Sequence, residues 1–324
     1  MVRLWMPSTR LEENMSPEPI VIGTRGSDLA LWQANETARL LDHPSKLEII
    51  KTSGDRFLDI PLQGRVDKGF FTKEIEAQLI EGKIDVAVHS LKDLPTQQPP
   101  GLEIGAYLPR APYSDLILVH PDWHDPEQLV PVREGCSVGA TSLRRQALLK
   151  TFAPKVEASF LRGNVPSRIQ KCKDLQYGAI ILARAGVQRL GLDLDPLLVY
   201  EFDPTIWLPA PGQGAIAIQI REGDERVRGV VEAINHAETE RAIQIERNLL
   251  AAYEGGCHTA FAALAREKDS SWAVRIGMET DDGRWEMAEF EDGYESCSAM
   301  QPDSIKSWAE IKTMPDSLCE RISL

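Results

Sequence analysis

Three kinds of residue in this sequence have the type and spacing for chemistry. The first is arginine beside hydroxyl groups. Thr24-Arg25-Gly26-Ser27, Thr141-Ser142-Leu143-Arg144-Arg145 and Leu161-Arg162-Gly163-Asn164, with Arg168 one turn on, each fall where a strand pattern gives way to a helix pattern. The start of a helix offers free N–H groups and a positive dipole end to anions. A guanidinium grips a carboxylate or phosphate with two prongs. Any one of these arginines also reads as a solvated helix-end residue; together they point to a ligand with several negative groups. The second kind is the run His89-Ser90-Leu91-Lys92-Asp93-Leu94-Pro95, a cation beside a carboxylate after an apolar stretch. Lys92 suits an anionic substituent, and Asp93 suits proton transfer or stabilisation of a cation. The same residues equally form an exposed turn before a proline, with His89 a hydrogen-bonded structural histidine. The third is Glu254-Gly255-Gly256-Cys257-His258. Two glycines permit a positive-φ turn and leave the sulfur uncrowded. A thiolate there is a nucleophile or a covalent tether; otherwise Cys257 is a small buried hydrophobe.

These residues need a scaffold, and the apolar periodicity supplies one. Strands are expected over 20–23, 47–51, 84–88, 102–108 and 116–120, with helices over 28–41 and from an N-cap at Thr72 to about 81, where Gly82 ends it. The middle repeats the rhythm: strands over 138–140, 156–161 and 179–183, and helices over 143–152 and 165–173, the latter with Asn164 as cap and Pro166 in its first turn. Such alternation predicts mainly parallel sheets flanked by helices, in two blocks that meet near 111–114. After Pro209 the pattern changes. Pro211-Gly212-Gln213-Gly214 reads as a turn into a strand over 215–220, followed by a long helix over 224–254 with a break near His236. A smaller α+β unit has strands over 272–276 and 285–290 and a final helix over 304–318. Residues 57–71, with mixed charges and two glycines, have the character of a lid loop.

Composition narrows the function classes. At 324 residues the chain exceeds a single core. A net charge of −13 argues against non-specific nucleic-acid binding, yet its sign is uneven: 141–168 holds six basic residues and one acidic, 279–303 nine acidic and one basic. Five cysteines without a C-x-x-C spacing suggest neither a disulfide framework nor a zinc site, and fit a reducing compartment. No apolar run is long enough to span a membrane. Residues 1–19 read as a loose extension with no secretory character.

At this point the motifs resemble one family. Thr-Arg-Gly-Ser-Asp-Leu-Ala-Leu-Trp-Gln (24–33), Val-His-Ser-Leu-Lys-Asp-Leu-Pro (88–95), Thr-Ser-Leu-Arg-Arg-Gln (141–146), Leu-Arg-Gly-Asn-Val (161–165), Leu-Pro-Ala-Pro-Gly-Gln-Gly-Ala (208–215) and Glu-Gly-Gly-Cys (254–257) occur in the order of the porphobilinogen deaminases, across roughly residues 20–260. The resemblance implies an enzyme that joins four porphobilinogen molecules head to tail, releases ammonia at each step and hydrolyses off a linear tetrapyrrole. It implies a dipyrromethane cofactor, held by a thioether to Cys257. It implies that Asp93 is the catalytic group, assisting ammonia loss, stabilising the azafulvenium cation and removing the pyrrole proton. Ser90, Lys92, Thr141, Ser142, Arg144, Arg145, Arg162 and Gly163 would meet the cofactor; Arg25, Ser27, Gln33 and Arg168 would face the incoming substrate. In the lid, Gly64, Val66 and Asp67 depart from the pattern of many relatives, and Arg65 and Lys68 are the implied cations. His258-Thr259-Ala260 departs likewise after the cysteine. The implied fold is two α/β lobes of the periplasmic-binding-protein type plus a smaller α+β C-terminal domain. Domain 1 spans 20–110 and 211–231, domain 2 spans 114–207, and domain 3 spans 235–324. The implied protein is a cytoplasmic monomer without metal, nucleic-acid or membrane partner. Two rivals make different demands. A non-catalytic two-lobed binder of anions needs the arginines but neither Asp93 nor Cys257. A cysteine hydrolase needs Cys257 with His258.

Overall fold

The computed structural model describes residues 17–52, 72–254, 260–300, 309–310 and 317–324. The lid segment with Arg65 and Lys68, and the run containing Cys257 and His258, lie outside them.

In the first lobe, β1 (Ile20–Thr24) runs parallel to β2 (Ser45–Ile49) and to β3 (Val86–Ser90). Helix α1 (Asp28–Leu40) links β1 to β2, and α2 (Lys73–Ile80) precedes β3. The Ser27 hydroxyl caps α1 by accepting from the Ala30 N–H at 3.4 Å. Thr72 occupies the N-cap position of α2, but its hydroxyl bonds to the Glu76 side chain and makes no cap bond to the helix. With β4 (Leu102–Tyr107) and the returning β10 (Ile216–Arg221), the sheet order is β2-β1-β3-β10-β4.

The second lobe contains β5 (Asp115–Val119), β6 (Ser137–Gly139), α3 (Leu143–Phe152), β7 (Glu157–Ser159), α4 (Val165–Lys173), β8 (Ala179–Ala183), α5 (Arg184–Leu190) and β9 (Leu198–Phe202). Its sheet order is β15-β9-β5-β8-β6-β7, where β15 (Cys319–Arg321) is the last strand of the chain. Asn164 caps α4 as expected, accepting from the Ser167 N–H at 3.0 Å.

Neither sheet is as parallel as the βα rhythm predicts. The strands that cross between lobes enter from the opposite side and run against their neighbours. Thus β10 is antiparallel to β3 and β4, and β5 is antiparallel to β8 and β9. Periodicity reports burial, not direction.

After β10, α6 (Glu225–Val231) and a 3₁₀ turn (Glu232–Ile234) lead to α7 (Ala237–Glu254). The expected helix break falls at Asn235, whose Oδ1 accepts from the Tyr107 N–H while the His236 N–H donates to Tyr107 O. The third unit is an antiparallel sheet, β11 (Phe261–Lys268), β12 (Ser271–Glu279), β13 (Trp285–Asp292) and β14 (Ala309–Glu310), covered by α7 and by α8 (Tyr294–Ala299). Of the helix expected over 304–318, residues 304–308 and 311–316 lie outside the described residues, and at 309–310 and 317–318 it is corrected. Ala309 and Glu310 pair with β13, and Leu318 hands the chain to β15, which pairs with β9 in the second lobe. The interval assigned to domain 3 therefore ends inside the sheet of domain 2. The reason is apolar. Leu318 is buried in the same cluster as Phe202 and Trp207, which an isolated C-terminal helix would leave uncovered.

Candidate active site

The best-placed chemistry lies at the C-terminal end of β3. The strand is buried along Val86–His89 and delivers Ser90 at its tip; Leu91–Asp93 then form one 3₁₀ turn. Leu91 and Leu94 are buried, and this pins the turn so that Lys92 and Asp93, between them, reach solvent. Gly212 approaches this turn with φ +73°, where an added Cβ would sit 3.0 Å from the Leu91 side chain.

Across from the turn stand the second lobe's cations. A cavity of about 90 Å³ is lined by Ser90, Lys92, Arg145, Arg168 and Arg189 together with apolar residues. Lys92 is exposed at its surface, yet the protein crowded around its ammonium takes it down to about 8; Asp93 opposes that shift and Arg145 adds to it. Arg168 falls to about 10 through burial and the nearby Arg145, again opposed by Asp93. Its Nε donates to Gly163 O at 2.7 Å, across a loop where Gly163 takes φ +116°. Arg189 falls to about 10 through burial. It lies over the Trp32 ring at 5.5 Å and donates to Gly214 O at 2.7 Å. A larger space of about 490 Å³ opens beside Trp32, Leu108, Pro109 and Ile216. Its charged pair Glu36–Arg39 is bonded to itself and its remaining cation, Arg189, is shared with the smaller cavity, where Lys92, Arg145 and Arg168 join it; the smaller cavity is the chemically competent one.

Several expected ligand-facing residues are busy within the protein. Gln33 is buried and donates to Ser90 Oγ at 2.7 Å, orienting that hydroxyl. Ser27 caps α1, and Ser142 stands at the N-cap position of α3 without a side-chain cap bond. Thr141 donates its hydroxyl to Leu161 O and accepts from the Leu161 N–H, clamping two cleft loops together. Arg162 lies over the Phe160 ring at 5.0 Å. Arg144 and Arg145 converge on Asp115, a residue the motifs do not single out. Arg145 holds both Asp115 oxygens at 3.1 and 2.7 Å and Ile181 O at 2.9 Å; Arg144 holds Asp115 Oδ2 at 2.9 Å and Leu208 O at 2.7 Å. Trp207 Nε1 and Gln213 Nε2 complete the shell around Asp115 at 3.1 and 2.9 Å. Burial alone would raise the Asp115 carboxyl; the two guanidiniums outweigh it and hold it well below the usual range. The one clue in sequence is a carboxylate heading the apolar run Leu116–Val119.

Behind β3 lies a buried polar chain. Gln219 Nε2 donates to Glu76 Oε1 at 3.2 Å and to Gln98 Oε1 at 2.9 Å, so its own oxygen accepts from His89 Nε2 at 3.2 Å. Burial takes His89 down to about 4, against the Gln219 bond and with the help of Arg25. His89 is thus a neutral structural histidine, and Arg25 stands close to it.

The model of the porphobilinogen deaminase dipyrromethane cofactor binding domain matches residues 20–229. The chain belongs to the porphobilinogen deaminase family. Curated porphobilinogen deaminases from Syntrophomonas wolfei and Moorella thermoacetica are 42% identical over 269 residues and 44% identical over 272 residues. The matches cover 81% and 82% of this chain, and 86% and 84% of those proteins. A probable porphobilinogen deaminase from Methanocaldococcus jannaschii is 40% identical, with 81% of this chain and 89% of that protein covered. Among solved structures, the BvgS VFT2 domain of Bordetella pertussis aligns with 66% of this chain and 85% of that chain, with TM-score 0.40 and 11% identity.

Proposed function

We propose that the cleft between Asp93 and the cations of the second lobe carries the family's reaction, with Asp93 as its proton-transfer and cation-stabilising group. The activity is that of a porphobilinogen deaminase. Four porphobilinogen molecules are condensed head to tail with release of ammonia, and the linear tetrapyrrole hydroxymethylbilane is freed by hydrolysis. The dipyrromethane cofactor supplies the pyrrole end to which units are added. The observation that carries the reading is the meeting of Lys92 and Arg168 at one small cavity between the lobes, with Asp93, next to Lys92 in the same turn, near enough to act on both charges.

Each acetate or propionate brought into the cleft needs a countercharge, and the chain as a whole is acidic. Among the described residues, Lys92, Arg168 and Arg189 face the cavity without a salt-bridged carboxylate, so they are the residues that take those groups; this donor set suits an oligocarboxylate such as dipyrromethane. Arg25 and Arg162 extend the cationic rim. Arg144 and Arg145 act first on Asp115, and Arg145 also lines the cavity. Ser90, oriented by Gln33, offers a hydroxyl beside Lys92. Asp93 interacts with both Lys92 and Arg168, and is the carboxylate at this turn that can take a proton or face a developing positive charge. Cys257 is the anchor in this reading, and Arg65 and Lys68 are the lid cations; all three lie outside the described residues. Four other cysteines, Cys136, Cys172, Cys297 and Cys319, are free thiols, the first three buried. They fit the cytoplasmic location proposed here. Among the described residues no helix is long and apolar enough to cross a membrane. Domains spanning 20–110 with 211–231, 114–207, and a third unit from 235, less its last strand, form the proposed monomer.

Mass spectrometry of the intact protein with a porphobilinogen-consumption assay tests this. The wild type is expected to carry an added primer mass that disappears in Cys257→Ser. Asp93→Asn is expected to keep the primer and lose at least about 100-fold in turnover, the usual scale of acid–base assistance. Normal turnover in Asp93→Asn would end the assignment.

A further inference from the structure

The Asp93 turn is gripped from a second direction, by helix α7. Ile243 on α7 shares one buried cluster with Leu91, Leu94, Ala215 and Ala217. One helical turn further on, the Arg247 guanidinium reaches the backbone just past Asp93. It donates to the carbonyl oxygens of Leu94 at 3.1 Å, of Pro95, and of Thr96 at 3.1 Å. Three consecutive carbonyls outside regular secondary structure thus find their donors on one side chain. Residues i and i+4 lie on the same face of a helix, so Ile243 and Arg247 press the turn together. On its sheet side, Gln98 Nε2 donates to Pro95 O at 3.0 Å and is itself tied to Gln219 of β10. The turn is therefore fixed between the first-lobe sheet and a helix that runs to Glu254, three residues before Cys257 in sequence.

We propose that Arg247 is a positioning residue, which locks the backbone of the Asp93 turn to α7 and so sets where Asp93 stands for the reaction. The inference rests on Asp93 being the catalytic carboxylate. Arg247 itself has no place in the cation set of the cavity; its fork is spent on carbonyls 94–96. Loss of the fork frees the turn from the helix while leaving Arg168 and Arg189, on helices of the second lobe, in place to bind carboxylates. Chemistry should suffer and binding should not.

The test uses the holoenzyme. Arg247→Met keeps the apolar stem and removes the fork; Arg247→Lys keeps a charge that can reach one or two of the carbonyls. In the Met variant kcat is expected to fall at least tenfold, with KM within twofold of wild type and the primer mass intact. The Lys variant should lie between Met and wild type. Lower thermal stability alone, with kcat within twofold, would overturn the inference. So would a rise in KM at constant kcat, which would place Arg247 on substrate, or loss of the primer mass, which would assign it to assembly. If the Met variant does not fold, the Lys variant decides: a threefold or greater fall in kcat at unchanged KM supports the proposal, and an unchanged kcat sinks it. Asp93→Asn measured in parallel separates the two readings. Full activity there removes the assignment of Asp93, whereas an inactive Asp93→Asn beside a fully active Arg247→Met removes only the role of Arg247.

Discussion

A cation in a site built for anions is set by its surroundings as much as by its type. Lys92 is held at about 8, because desolvation in the cleft and the neighbouring Arg145 both disfavour its charged form. Below that pH it carries its charge; above it the charge is lost some two units earlier than for an ordinary lysine. A bound carboxylate stabilises the ammonium, so binding should weaken as pH rises through about 8. KM for porphobilinogen is therefore expected to climb between pH 8 and 10 in the wild type. The cavity's own arginines hold their charge to about 10, so Lys92→Arg should flatten the part of that climb between pH 8 and 9. Equal alkaline rises in both proteins would exclude Lys92 as its source. Arg144 and Arg145 illustrate the opposite fate. Their motif is legible as anion-binding, and a carboxylate they hold is the protein's own Asp115, while Arg145 also lines the cavity. Residue type announces affinity for carboxylate; only the fold decides which carboxylate is there.

At the scale of elements, the site depends on how helices and crossing segments are tied. Glu246 of α7 is fully buried and joins three parts of the chain. It takes the Arg110 fork at 2.7 and 3.0 Å, the Gly212 N–H at 2.8 Å and the Ala265 N–H at 3.0 Å. Arg110 follows β4 at the first crossing, Gly212 precedes β10 at the second, and Ala265 is in β11. Glu246→Ala leaves the Arg110 guanidinium and two N–H groups without their acceptor, and should destabilise the protein by about 3–5 kcal/mol. Urea and thermal unfolding followed by circular dichroism measure this; a loss under about 1 kcal/mol would mean that water replaces the carboxylate. Element existence was legible where a long periodic pattern carried a cap, as in α4 with Asn164 and Pro166. Helix α5 was not expected, because it is seven residues long and follows β8 directly, with Ala183 in place of a polar cap. Strand β3 sits two residues later than the apolar run suggests. That shift brings Ser90 into the last ladder pair, with Ile216.

The whole molecule is closed by its last residues. Strand β15 covers the edge of the second lobe's sheet, and Leu318 fills a core containing Phe202 and Trp207. Deleting residues 317–324 should expose β9 as an edge and cost about 2–3 kcal/mol for Leu318 burial alone. A lower melting temperature and concentration-dependent association are the expected readouts. An unchanged melting temperature would show that this strand closes nothing. Legible in the sequence were the family motifs in their order, the α/β rhythm, the catalytic-turn candidate and the expectation of a multiply anionic ligand. These are local properties, written in residue type and short spacing. The tertiary structure alone decided the mixed strand directions, the capture of Arg144 and Arg145 by Asp115, the clamp of Arg247 on carbonyls 94–96 and the return of the C terminus to the second lobe. Each of these joins residues roughly 30 to 150 positions apart, where partners are selected by packing and charge burial across the whole chain, and no local pattern records them.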